Sequence, residues 1–162
     1  MSTTDQHPPP GTADQPRAHG DYSVARLGGG LVFTAGMTPR RGATMDGVGV
    51  VGADIDVDDA ARLAAHAAHR AIGAARAVAQ DAGLTVDQSV SLTVYVRAIP
   101  EFTSHSAVAD GASAVLSQML HSHVPARATV GVSSLPEGAP VEVTAVFTTA
   151  PATAALNGER GR

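Results

Sequence analysis

Two charged residues stand in a stretch that otherwise reads as buried sheet. In PARATVGVSSLPEGAPVEVTAVF, from Pro125 to Phe147, Val130, Val132, Val141, Val143 and Val146 mark two strands joined by Leu135 to Pro140. Arg127 lies at the mouth of the first strand and Glu142 inside the second. A guanidinium is a planar fork of donors that fits a carboxylate, and a strand end fixes its direction. A carboxylate near that fork can orient a water or move a proton. The opposing reading is two solvated surface charges, or one salt bridge of little energetic weight.

Side chains alternate across a strand, so Glu142 points away from Val141 and Val143. With those valines facing the helices, Glu142 is expected on the other face of the sheet with Thr144 and Val146. By the same alternation Arg127, Thr129 and Gly131 share the face opposite Ala128, Val130 and Val132, and are expected on Glu142's side. If the strands form a hairpin with Ser133 near Val141, Arg127 lies opposite a residue near Phe147. Glu142 is then roughly five residues away, on the order of 15 Å at ~3.3 Å per residue. The two charges would meet only across a subunit boundary or with a ligand between them. Val146 on that face is a poor residue to leave in water, which favours a second subunit there.

The elements that position these residues are readable from periodicity. Tyr22–Leu27 and Leu31–Ala35 predict two short strands around Gly28-Gly29-Gly30. A weak strand is expected at Val48–Val51 within a turn-rich stretch. Asp56-Val57-Asp58-Asp59 opens a helix, because short acceptors cap free N–H groups and carboxylates suit the positive end of the dipole. Leu63, Ala64, Ala67, Ala71, Ile72, Ala75, Val78, Ala79 and Ala82 recur at helical spacing until Gly83 stops the helix. Val90, Leu92, Val94 and Val96 alternate with polar residues as a strand with one face in the core. Pro100-Glu101 is expected to open a second helix carrying Phe102, Val108, Ala109, Ala112, Val115, Leu116 and Met119. The order β-β-(β)-α-β-α-β-β predicts an α+β two-layer domain, two helices against one mixed sheet.

The folded unit is expected over residues 21–150, between tails at 1–20 and 151–162 that are rich in Pro, Gly and polar residues. With 162 residues and 44% hydrophobic content, the chain suits one domain. A core of Ala and Val buries little area per residue, so association with further copies is a reasonable expectation. A net charge of −4 with no basic run argues against binding nucleic acid through phosphates. Zero Cys excludes disulfides, thiolate nucleophiles and Cys-ligated zinc, and fits a reducing compartment. With no stretch of ~18 apolar residues and no signal-peptide pattern, a cytoplasmic protein without membrane contact is expected.

Other candidates are weaker. His66 and His69, or His121 and His123, lack a third ligand, so no metal is expected. Gly28-Gly29-Gly30 precedes neither a lysine nor a helix, so it is a turn rather than a phosphate loop. Ser133-Ser134 has no nucleophile-elbow context, and Asp54, Asp56, Asp58 and Asp59 have the wrong spacing for a calcium loop.

Several fragments together resemble one family. Tyr22-Ser23-Val24-Ala25, Val32-Phe33-Thr34-Ala35-Gly36, Ala82-Gly83-Leu84, Tyr95-Val96, Pro125-Ala126-Arg127, Leu135-Pro136 and Val141-Glu142-Val143 occur in the order found in the RidA (YjgF) family. Its archetype is a 2-iminobutanoate/2-iminopropanoate deaminase. The resemblance spans the whole expected folded unit. It implies a chorismate-mutase-like fold assembled as a homotrimer, with active sites in clefts between subunits. It further implies hydrolysis of 2-imino or enamino acids to 2-keto acids and ammonia, with no metal or organic cofactor. Arg127 would then hold the substrate carboxylate and Glu142 the attacking water. The backbone at Gly36 and Thr129 would approach the substrate, and Tyr22 would border the cleft. Ala35-Gly36-Met37 replaces the archetype's Ser-Gly-Gln, Ser106 stands for an asparagine, and Thr129 for a cysteine. These departures imply an altered pocket. They keep open a divergent member that binds a small carboxylate without that deaminase activity. An endoribonuclease, an activity attached to some relatives, is disfavoured by the negative charge.

Overall fold

The computed structural model describes residues 16, 18 and 20–152. The expected tails therefore lie largely outside the described residues. The described chain contains seven strands and two long helices: β1 (Ala25–Gly28), β2 (Leu31–Thr34), β3 (Arg40–Arg41), β4 (Thr44–Met45), α1 (Val57–Asp81), β5 (Leu84–Arg97), α2 (His105–Leu120), β6 (Ala126–Val132) and β7 (Val141–Pro151). Five strands form one sheet in the order β1-β2-β7-β5-β6, and β3 pairs with β4 separately. Only β5 and β6 run parallel within the large sheet, so it is mixed. Both helices pack on one face, giving the expected two-layer α+β domain.

The core is built mostly from small residues. Along α1, Ala60, Ala64, Ala67, Ala71 and Ala75 are completely buried with Ile72, against Leu92, Val94, Val141, Val143 and Phe147 of the sheet. Asp56 caps α1 as expected, its side chain accepting the Asp59 N–H at 2.8 Å. Gly83, at φ +71, ends the helix where an L side chain would be strained.

Four expectations need correction. Val48–Val51 forms no strand; Val51 makes isolated bridges to Ile55 and Ala98, and the small β3–β4 hairpin precedes it. Val90 is 45% exposed rather than in the core. The register slips between Ser89 and Ser91, so Val90 is the extra residue of a bulge and Ser89 turns inward. Pro100-Glu101 does not open α2, which begins at His105 after Ser104. Phe102 packs on the core from the preceding turn, with its ring 5.0 Å from that of His105.

The fourth correction governs the site. β6 and β7 are not a hairpin, because β5 lies between them. Arg127 pairs with Leu92 and Glu142 with Tyr95 on that shared strand. Leu92 is fully buried under the helices, so Arg127 and Thr129 share the helix-side face with it and with Val94. Glu142, paired with Tyr95, lies on the opposite face as expected. Alternation was legible, but its phase in β6 was inverted. As an edge strand at the rim of the helical layer, β6 turns polar residues towards the flank of α2. It turns Ala128 and Val130 to the uncovered face, where Val130 is 42% exposed.

Candidate active site

The first cluster forms around Glu142. From Phe33 paired with Val146, the chain reaches Met37 paired with Val143, and so inserts one residue more than β7 does. The Thr34 hydroxyl fills the interrupted ladder: it accepts the Ala145 N–H at 3.0 Å and donates to the Ala145 carbonyl at 3.3 Å. Met37 and Val143 then exchange backbone bonds of 2.8 and 2.9 Å. This bulge lays Gly36 directly against the Glu142 side chain. A Cβ on Gly36 would fall 2.5 Å from the Glu142 Cδ and closer still to its Oε1. Glycine leaves space there for the carboxyl and is not needed for backbone conformation, because its φ is not in the left-handed region. Burial against the sheet pushes the Glu142 carboxyl above its ordinary value.

Tyr22 shares a cavity wall with Gly36 but not with Glu142. Together with Val24, Met37, Thr38, Arg40 and Arg70, Tyr22 and Gly36 line a small cavity of about 40 Å³. Two buried arginines in its wall were not foreseen. Arg70 donates to the Thr38 carbonyl at 2.6 Å, and Arg40 donates to the Ala43 carbonyl at 2.9 Å and pairs with Glu137. Arg70 had a sequence signal: it sits between Ala67 and Ala71 on the buried stripe of α1.

The second cluster forms around Arg127. Its Nη1 donates to Asp110 Oδ1 at 2.7 Å and to Ser113 Oγ at 2.9 Å, both on α2. Ser113 is buried, and its hydroxyl donates onward to the Ala109 carbonyl at 3.3 Å. Thr129 and Gly131 continue the same strand face, and Gly131 leaves room for His105, whose Nε2 would be 2.7 Å from a Cβ there. Ser106 is exposed in the first turn of α2, one turn before Asp110 and on the same helix face by spacing. Asp110 and Ser113 escaped the sequence reading, although positions 106, 110 and 113 recur at helical spacing.

Within one chain the two clusters stay apart. Arg127 and Glu142 are two strands apart and three residues out of register, roughly 14 Å from ~4.8 Å per strand and ~3.3 Å per residue. They also point to opposite faces. The structure thus brings Gly36 together with Glu142, places Tyr22 beside Gly36 on a cavity that Glu142 does not line, and separately brings together Arg127 and Thr129, with Ser106 on the helix beside them.

One consequence can be measured directly. Gly36→Ala should leave the fold within about 1 kcal/mol of wild type, because the obstacle is the movable end of a side chain. It should nevertheless displace the Glu142 carboxylate. Urea unfolding should show near-equal midpoints, while any Glu142-dependent activity falls; an unfolded variant would show that the contact is structural instead.

No helix among the described residues is long and apolar enough to cross a membrane. No group of three or more His, Asp or Glu among them could hold a metal ion. The chain matches the endoribonuclease L-PSP family over residues 12–149. It is 30% identical to a RutC family protein of Haemophilus influenzae over 135 residues, covering 83% of this chain and 92% of that protein. A solved Agrobacterium tumefaciens protein of unknown function superposes with a TM-score of 0.76 at 29% identity, covering 84% of this chain and 86% of the other. The Escherichia coli YjgF gene product superposes with a TM-score of 0.56 at 25% identity, covering 85% and 94%. On these matches, the chain belongs to the endoribonuclease L-PSP family, the RidA/YjgF family that its Pro-Ala-Arg, Leu-Pro and Val-Glu-Val segments resemble.

Proposed function

We propose that this protein is a cofactor-independent deaminase that hydrolyses a 2-imino or enamino acid to the 2-keto acid and ammonia. The observation that carries the reading is the pair of prepared groups: a guanidinium seated by α2 at the sheet edge, and a half-buried carboxyl over Gly36. An imine of a 2-keto acid already has an electrophilic carbon. Catalysis needs little more than a carboxylate clamp, a positioned water and a proton acceptor. Arg127 holds the substrate carboxylate, with the Thr129 and Ser106 region beside it. Glu142 orients the water, takes one proton as the C–O bond forms and passes it to the nitrogen, giving a carbinolamine. The same carboxylate then moves the hydroxyl proton to nitrogen as the C=O bond forms and the C–N bond breaks, releasing ammonia. Tyr22 and the Gly36 backbone shape the wall.

The reading requires two copies to meet, since one chain keeps Arg127 and Glu142 on opposite faces. Phe33, 48% exposed, and Val130, 42% exposed, lie with Tyr95 and Val146 on the sheet face that the helices leave uncovered. Apolar side chains on one uncovered face support burial against further copies, in a homotrimer with shared clefts. RNA cleavage, which the family's description carries, is less well supported, because a chain of net charge −4 has little to offer a phosphate backbone. Ala35 and Met37 support a second reading, a member that binds a small carboxylate without turnover; Met37 is 3% exposed and contributes no polar group.

One assay separates these readings. 2-Iminopropanoate is generated by an amino-acid oxidase and trapped with semicarbazide. Wild type should suppress semicarbazone formation, and Arg127→Ala should need about ten- to a hundredfold more protein for the same suppression, the value of a lost charged hydrogen bond. No suppression by wild type, with pyruvate still bound, would leave the binding reading standing.

A further inference from the structure

Arg127 is not an empty fork. Its hydrogen bonds among the described residues leave from Nη1 alone, and one of the two acceptors is itself a carboxylate, Asp110. The two acceptors differ in kind. Ser113 is 8% exposed and tied back to Ala109, so it is a fixed seat. The Asp110 side chain is 70% exposed against 20% for Arg127, so it reaches over from solvent on rotatable bonds. An ion pair with one such exposed partner is weak, because high dielectric reduces its attraction and ordering the side chain costs entropy. A ligand carboxylate can instead bond the guanidinium in parallel through two nitrogens, which is stronger and more directional.

Resting on the reading that Arg127 receives a ligand carboxylate, we infer that Asp110 is an internal competitor for that fork: it occupies the guanidinium when no acid is bound and sets how tightly small carboxylates bind. Ser113 performs the other task and holds Nη1 in place whether or not Asp110 is engaged. An arriving anion must displace Asp110 or bind beside a like charge, and both weaken binding relative to a neutral neighbour. The pair also keeps the unliganded rim close to neutral, so the fork does not collect every passing anion.

The two roles predict opposite signs. A residue that positions Arg127 weakens the site when altered; a competitor tightens it. Asp110→Asn keeps an oxygen that can accept from Nη1 and removes only the charge. Chemical-shift titration of the full chain with pyruvate should show Asp110→Asn binding about two- to fivefold tighter than wild type at low salt, with the difference shrinking as salt is added. Ser113→Ala should bind more weakly, and Arg127→Ala weaker still. In turnover, Asp110→Asn should lower KM with little change in kcat. Equal or weaker pyruvate binding by Asp110→Asn, with Arg127→Ala still impaired, overturns the competitor role and leaves the Arg127 clamp standing. Wild-type affinity in Arg127→Ala, or no pyruvate binding by any variant, overturns the clamp and the competitor together.

Discussion

Glu142→Gln is expected to cut turnover of a 2-imino acid by about a hundredfold or more, with far less effect on pyruvate binding. The replacement is nearly isosteric and keeps its packing over Gly36, but an amide cannot accept the proton of an attacking water. General-base catalysis is typically worth about 10²–10⁴-fold. The pH dependence carries a second signature. Burial raises the Glu142 carboxyl above its ordinary value, so the reactive carboxylate form appears at higher pH than for a free glutamate. The acid limb of wild-type activity should be displaced upward accordingly and vanish in the variant.

Stability should change in the opposite direction. A carboxyl raised in the folded state binds more protons folded than unfolded between its two values. Its contribution is therefore fully present below the unfolded value and is lost as pH rises through the folded one. Glu142→Gln should melt higher than wild type at neutral pH, and the two should converge in acid. A variant that loses activity and also melts lower at neutral pH would point to a structural Glu142. Full turnover by Glu142→Gln would remove it from the chemistry.

The fold was legible where periodicity alone decides. The alanine stripe of α1, its Asp56 cap and its Gly83 stop follow from spacing and from short-range hydrogen bonding. What escaped depended on partners distant in sequence. Two valine-rich segments joined by Leu135 to Pro140 look like a hairpin, yet β5 inserts between them, and no local signal encodes that insertion. The same gap inverted the face of Arg127. Alternation gives relative phase, and only the neighbouring strand and helix fix which face is covered. The estimated separation of the two charges came out similar for a different geometric reason. Glu142 was placed correctly because Val141 and Val143 anchor a central strand on both edges. Asp110 and Ser113 were overlooked because polar residues on an amphipathic helix read as its wet face until a strand is known to lie beside them.

Gly111→Ala is expected to destabilise the domain by up to about 2 kcal/mol, against the ordinary preference of helices. Glycine inside a helix costs about 1 kcal/mol relative to alanine, so the change should be favourable on propensity alone. Packing decides otherwise. Gly111 lies within α2 where it crosses α1, and a Cβ there would meet the Ala61 carbonyl, with its carbon at 2.7 Å and the Ala61 Cα at 3.1 Å. That obstacle is helix backbone, near the start of α1, and cannot swing aside. Overpacking of this kind costs about 1–3 kcal/mol and sometimes more, since the whole interface must shift. Gly73 supplies the control: it lies inside α1 with nothing within 4 Å of its notional Cβ. Gly73→Ala should therefore gain up to about 1 kcal/mol. Urea midpoints should move in opposite directions for the two variants, and movement of both upward would show that the helices are not in van der Waals contact at Gly111. The consequence reaches the candidate site, because α2 carries Asp110 and Ser113. Separating the helices should loosen the seat of Arg127 and weaken pyruvate binding even under conditions where Gly111→Ala remains folded.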